Sequence, residues 1–283
     1  MRRGLFLVLV GCILVGCGGP KNALPDLRLQ AVELNEQGYR YYRESRWRLA
    51  REKFAEALKL NRLIDHRPGI AVNLNNLGAL AQEEGDLGQA QQYYEEALAL
   101  HREIGDPAGI CETLNNLGTV MAARNRWPEA AALYQEALGY ARRLPPGPLL
   151  ALSLTHQGDV ARQQRDYAGA LACYREALAV DEAQKNRGGM AVRWARLGRV
   201  SLALGDYAEA RGLFVQALEE CRRLEQTSGI IDALDGLIRV ALARGDRLEA
   251  RLYGERLLKI YQARGQEREA EALTATLGGR GRE

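Results

Sequence analysis

Any chemistry in this 283-residue chain must come from three histidines, five cysteines, and a large stock of carboxylates and arginines. None of His66, His101 and His156 has a second histidine three or four residues away, as a metal site on a helix requires. The pattern predicts no metal centre, no cofactor and no catalytic residue. The cysteines, Cys12, Cys17, Cys111, Cys173 and Cys221, are odd in number and have no metal-ligand spacing, so they form neither a disulfide framework nor a zinc site. Cys111, Cys173 and Cys221 are expected as buried or partly buried thiols. Paired carboxylates such as Glu95-Glu96 and Glu219-Glu220 suit solvated helix faces. The arginines offer more. Arg162, Arg199 and Arg239, with Arg196 nearby, can receive a carboxylate, because the guanidinium fork pairs bidentately with such groups. This is chemistry of recognition, not turnover.

The elements that position these residues repeat. Gly38, Gly78, Gly118, Gly158 and Gly198 are forty residues apart, and the same frame reaches Ile238. Four residues before each stands Leu34, Leu74, Leu114, Leu154, Trp194 or Leu234, and twelve after it Ala50, Ala90, Ala130, Ala170, Ala210 or Ala250. Sixteen after it come Phe54, Tyr94, Tyr134, Tyr174, Phe214 and, in the last unit, Gly254. Apolar residues three and four apart, as in Leu-Asn-Asn-Leu-Gly-Ala-Leu-Ala over 74–81, predict an amphipathic helix, and residues 87–101 predict a second. Small or polar turns such as Gly85-Asp86, Asn125-Arg126 and Gly205-Asp206 part the two. Neither helix buries its stripe alone, so successive units must stack.

At these spacings the units resemble the tetratricopeptide repeat. Unit five matches most fully, with Trp194, Leu197-Gly198, Gly205, Tyr207, Ala210, Phe214 and Ala217. The usual period of that family is about 34, and the six further residues are expected after the second helix, in stretches such as Leu100 to Pro107. The phrase resembles the long-repeat branch that includes kinesin light chains. The resemblance implies an all-α, right-handed superhelical solenoid of six helix pairs over residues 31–271, followed by a disordered tail over 272–283. Unit six loses the glycine and the aromatic, at Ile238 and Gly254, as a terminal cap does.

The family also implies a concave groove lined by the first helix of each unit, into which the residues one after the Leu/Trp position and one after the glycine position point. Here these are Asn35, Asn75, Asn115, Thr155, Ala195 and Asp235, then Tyr39, Ala79, Thr119, Asp159, Arg199 and Arg239. Asparagine in successive units is either a donor–acceptor ladder for an extended peptide or a set of amides that serve the fold. Asn35, Tyr39, Asn75, Asn115, Asp159, Arg162, Arg199 and Arg239 are the candidate groove residues. Tyr39, Tyr41, Tyr42 and Trp47 form a dense aromatic patch in unit one, suited to an interface or to closing the end of the stack. His66 and His101 fall at second-helix ends, where solvated histidines suit the helix dipole. His156, two before Gly158, is read as a packing or solvated residue of a helix face.

The amino terminus has a different logic. Arg2 and Arg3 precede an apolar run over 5–15 that ends in Leu14-Val15-Gly16-Cys17. The run is short of the roughly 20 apolar residues that span a bilayer and reads as an export signal over 1–16. Its end resembles the bacterial lipobox, which implies lipidation of Cys17 and a tether over 17–30. Two or three acyl chains anchor a protein stably where one does so only marginally. The formal net charge of +3 includes Arg2 and Arg3, so the basic balance points to no nucleic-acid partner.

Together these features predict a lipid-anchored, extracytoplasmic scaffold or adaptor that binds a protein or extended peptide and assists assembly or localisation of an envelope complex. The location expected in a Gram-negative cell is the outer membrane, facing the periplasm. The alternatives are an accessory that presents glycan or peptidoglycan to cell-wall enzymes, and an envelope hydrolase dependent on His156.

Overall fold

The computed structural model describes residues 23–278. The expected signal peptide and Cys17 lie outside the described residues. Those described form thirteen helices and no strand: α1 (Ala23–Arg43), α2 (Trp47–Leu63), α3 (Arg67–Glu83), α4 (Leu87–Ile104), α5 (Pro107–Ala123), α6 (Trp127–Ala141), α7 (Pro148–Gln163), α8 (Tyr167–Ala183), α9 (Arg187–Leu204), α10 (Tyr207–Arg223), α11 (Thr227–Ala243), α12 (Arg247–Ala263) and α13 (Glu267–Gly278). Twelve of them pair in sequence, α1 with α2 through α11 with α12, as a solenoid of helix pairs. Two compact units are distinguished, one ending at Asn73 and one starting at Leu74.

Helix ends recur every twenty residues. Ser45, Asp65, Gly85, Gly105, Asn125, Arg165, Lys185, Gly205, Glu225, Gly245 and Gly265 all have positive φ, the left-handed conformation that closes a helix C-terminus. The exception in this series is Pro145, whose ring fixes φ near −65°. Helix starts follow immediately. Asp86, Asp106, Asp166, Asn186, Asp206 and Asp246 each accept a hydrogen bond from a backbone N–H two or three residues on, satisfying donors left open by the first turn.

The forty-residue frame is a packing contact. A Cβ on Gly78 would lie 2.6 Å from a ring carbon of Tyr94, and Gly118 and Gly158 meet Tyr134 and Tyr174 in the same way. Removing one methyl thus lets these first helices take the ring of the second helix directly against the backbone. In the amino-terminal unit Gly38 bears the same relation to Phe54. The rings of Phe54, Tyr94, Tyr134, Tyr174 and Phe214 are each at most 3% exposed. Phe214 packs on Gly198 and also on Gly236, while frame position Ile238 has Gly254, and no ring, sixteen residues on.

Three expected boundaries change. The six residues beyond the ordinary period lengthen the helix, since α4 runs to Ile104 and Gly105-Asp106 alone connects it to α5. Residues 23–30 of the expected tether belong to α1. Residues 272–278 of the expected tail form the end of α13, where Leu273 is buried and Leu277 fills the space over Gly254. Leu277 takes the place of the aromatic that unit six lacks.

Candidate protein-binding face

The amide ladder exists, and it runs inside the protein. In the amino-terminal unit Asn61 donates to Asn73 Oδ1 at 2.7 Å, and Asn73 donates to Asn35 Oδ1 at 2.9 Å. In the second unit Asn75 Oδ1 accepts from Asn116 at 3.2 Å and faces Thr113 Oγ1 at 3.4 Å, while its Nδ2 donates to Glu112 at 3.1 Å. Asn115 donates to Ser153 Oγ at 2.9 Å and to the Cys111 carbonyl at 3.0 Å. Asn75 is 6% exposed and Asn115 is wholly buried. Their assignment to a peptide-contacting groove is corrected: these amides join consecutive first helices, because a buried amide must find partners within the protein. Thr155 and Ala195, next in the same series, are buried too.

The positions one after the glycine remain at the surface. Tyr39 is 44% exposed and stands edge-on to Phe54, with centroids 5.5 Å apart. Below it in the same unit, Ala31, Val32, Asn35, Pro68 and Val72 line a recess of about 220 Å³. In the second unit Asp159 and Arg199 are half-buried and Arg239 is exposed.

Charge concentrates on α7, α9 and α11 of that second unit. Asp159 accepts from the Tyr174 hydroxyl at 2.8 Å and lies 3.5 Å from Arg196. Arg199 pairs with Asp232, and Arg239 with Asp235 at 2.7 Å. Burial holds the Arg199 guanidinium below its ordinary value, and the nearby charge of Arg196 adds to this. Burial, with the Asp159 carboxylate beside it, pushes the Tyr174 phenol up. Asp235 and Arg239 continue into a recess of about 450 Å³ floored by Leu242, Tyr261 and Leu273. The face therefore offers a row of guanidinium and carboxylate groups, half-buried except for Arg239, that ends in a recess with an apolar floor and Glu269 and Thr276 in its lining. A larger, open cavity of about 840 Å³ lies at the helix turns, where Arg211 and Arg244 already face Glu249.

Other titratable groups serve packing. His156 stacks on Tyr134, with centroids 4.4 Å apart and planes 7° from parallel, and burial lowers its pKa to about 4. His101 is not the solvated helix-end residue expected, for it is 3% exposed with Nδ1 3.0 Å from Asp106. Glu220 is likewise buried, 2.7 Å from Arg187. Cys111 and Cys221 are buried and Cys173 half-buried, all as free thiols. Among the described residues no group of three or more His, Cys, Asp or Glu side chains is placed to hold a metal.

The sequence concealed one recurring site. Asn61, His101, Ala141, Asp181 and Cys221 stand forty apart near second-helix ends. The side chains of Asn61, His101, Asp181 and Cys221 are pressed against Gly69, Gly109, Gly189 and Gly229 respectively. In the fourth unit this joint holds a buried ion pair, Asp181 to Arg193 at 3.1 Å, with Asn186 donating to Asp181 at 2.7 Å. Changing residue type at constant position hid the pattern; the glycine eight residues on, present at all but Ala141, was the available signal.

An all-α solenoid of helix pairs, with its first helices presenting a half-buried charged face, is a protein- or peptide-interaction module. Family models described as tetratricopeptide repeat match residues 30–103, 109–183 and 155–223, and the chain belongs to the tetratricopeptide repeat family. Among solved structures it is similar to PilF of Pseudomonas aeruginosa at 22% identity and TM-score 0.56, covering 88% of this chain and 99% of that one. PilW, described as a widely conserved type IV pilus biogenesis factor, matches at 22% identity and TM-score 0.58 over 81% and 92% of the two chains. BtubC (BKLC) from P. vanneervenii matches at 21% identity and TM-score 0.58 over 86% and 92%. At these identities the likeness is one of fold. No curated protein matches the sequence significantly.

Proposed function

We propose that this protein is a lipid-anchored adaptor of the cell envelope, which holds a protein partner against the α7–α9–α11 face and so assists assembly or localisation of an envelope complex. The observation that carries this reading is the row of half-buried Asp159, Arg196, Arg199, Asp232 and Asp235 and exposed Arg239 on consecutive first helices, ending in the Leu242–Tyr261–Leu273 recess. Partly desolvated charges give specificity and register to a partner, and an adjoining apolar recess gives it an anchor. Leu14-Val15-Gly16-Cys17 supplies the address, with acyl chains on Cys17 holding the solenoid on a membrane leaflet. In a Gram-negative cell that leaflet is the periplasmic face of the outer membrane. PilF and PilW, the latter a pilus biogenesis factor by its description, lend the assembly role an analogy of fold.

The test is crosslinking and affinity purification from envelope membranes with three proteins: the native chain, Cys17→Ala, and the double variant Arg199→Gln, Arg239→Gln. Metabolic labelling with an alkynyl fatty acid should mark the native chain and not Cys17→Ala. A partner recovered with native protein should disappear with the folded double variant. Retention of the same partner by that variant would show that another surface binds it, and the assignment to this face would fail.

A further inference from the structure

Among the described residues, the arginines of the α7–α9–α11 face are not equivalent. Arg196, Arg199 and Arg239 each have a carboxylate partner, in Asp159, Asp232 and Asp235. Arg162, at the end of α7, has none. Its Nε is buried and makes no hydrogen bond. The nearest acid of its own helix, Asp159, is already engaged by the Tyr174 hydroxyl at 2.8 Å and by Arg196 at 3.5 Å. Arg162 and Arg199 lie close enough for their charges to oppose each other.

The fold does not ask for a cation here. The equivalent places, four after the glycine-frame position, hold Tyr42, Gln82 and Ala122 in the earlier units and Leu202 and Leu242 forty and eighty residues on, none of them charged. A buried guanidinium nitrogen without an acceptor destabilises a protein, whereas leucine at the same place does not. Only Nε is buried, so the outer nitrogens of this half-buried fork are the ones that an acceptor from outside the chain can reach, and an anionic, planar group suits them best. A carboxylate meets each condition. Leu202 and Leu242, following Arg162 along the frame, favour a ligand that carries apolar side chains beyond its acid.

Resting on the adaptor reading above, we infer that Arg162 receives the side-chain carboxylate of an Asp or Glu in an extended segment of the partner protein, whose apolar residues then follow the Leu202–Leu242 line. Arg162 is the specificity-determining residue of the face, and its charge lowers the stability of the unliganded chain in exchange for selecting an acidic segment.

The experiment uses the full chain and a bead library of short random peptides, acetylated at one end and attached through the other, so that side chains supply the only carboxylates. Native protein should enrich peptides with Asp or Glu at one fixed position. Arg162→Leu should bind them at least about tenfold more weakly, while its melting temperature rises. Arg162→Glu should enrich Lys or Arg at the same position. The inference is overturned if native protein selects no acidic position, if Arg162→Leu keeps the affinity for the selected peptides, or if binding requires a second library with free carboxyl ends. Failure of the adaptor reading is separable. Loss of peptide binding in Arg162→Leu together with no partner recovered from envelopes would leave the carboxylate site and remove the envelope role; the reverse outcome would remove the site alone.

Discussion

Gly78 and Tyr94, sixteen residues apart, are in contact through the absence of a single methyl group: a Cβ on Gly78 would stand 2.6 Å from the ring. The ring is 1% exposed. The helix-pair crossing of the first five units is set by this kind of contact, and its sequence trace is the forty-residue glycine period.

Gly78→Ala should therefore destabilise the protein by about 1–3 kcal/mol, because overpacking outweighs the roughly 1 kcal/mol that alanine contributes to an exposed helix. Gly198→Ala is the control. Its Cβ would lie 3.2 Å from the Phe214 ring and 3.3 Å from the Ala210 carbonyl oxygen, so its loss should be smaller than that of Gly78→Ala. Urea denaturation of both variants decides the matter; equal losses would mean that the glycines do not set the crossing.

Asn115 is wholly buried and donates to Ser153 on the next first helix at 2.9 Å. Asn115→Ala should cost about 1–3 kcal/mol, the penalty of leaving buried polar groups unpaired. Asn115→Ala with Ser153→Ala should cost less than the sum of the two single variants. Because no surface is touched, capture of a partner by the folded variant should be unchanged. A variant of native stability that lost its partner would restore the peptide-contact role to Asn115.

The Asp181–Arg193 pair, 3.1 Å apart and almost without solvent, should behave as a unit. Arg193→Met alone is expected to destabilise by about 3–5 kcal/mol, since it leaves a buried carboxylate uncompensated. Adding Asp181→Ala should recover part of that loss, given that Ala141 fills the equivalent place one unit earlier. Chemical denaturation of the single and double variants measures the recovery, and strictly additive losses would contradict the coupling.

How far these features could be read from the chain depends on whether chemistry or only position repeats. The glycine and aromatic frame repeats both, so the helix pairs and their number were legible. Asn75 and Asn115 repeat as a type, yet the same amide suits an open groove or a buried strut, and only burial separates the two. At 61, 101, 141, 181 and 221 position repeats while type runs through Asn, His, Ala, Asp and Cys, and the joint was invisible. Helix α13 was missed because the Gly- and Arg-rich end of the chain masks Leu273 and Leu277, two apolar residues one helical turn apart. Arg162 was legible as a cation and not as the arginine of the α7–α9–α11 face that, among the described residues, has no carboxylate partner, for its pairing depends on which acids neighbouring helices bring within reach.

His156 provides a pH-dependent test of the packing between units. Burial lowers its pKa to about 4, against about 6.5 for an unfolded chain. Between those values the unfolded state holds more protons, so stability rises with pH across the interval. The contribution is fully present above about pH 6.5 and is lost as pH falls toward 4, to a limit of about 3 kcal/mol for the full shift. His156→Phe keeps a ring against Tyr134 and removes the titration. The stability of native protein relative to this variant should be constant above about pH 7 and should fall steadily between pH 6.5 and 4 in equilibrium denaturation. Burial also lowers the pKa of His66, which is present in both proteins and cancels in the difference. Parallel profiles across the acidic range would mean that His156 is protonated as easily in the folded chain as in the unfolded one, and that its stack on Tyr134 is open to water.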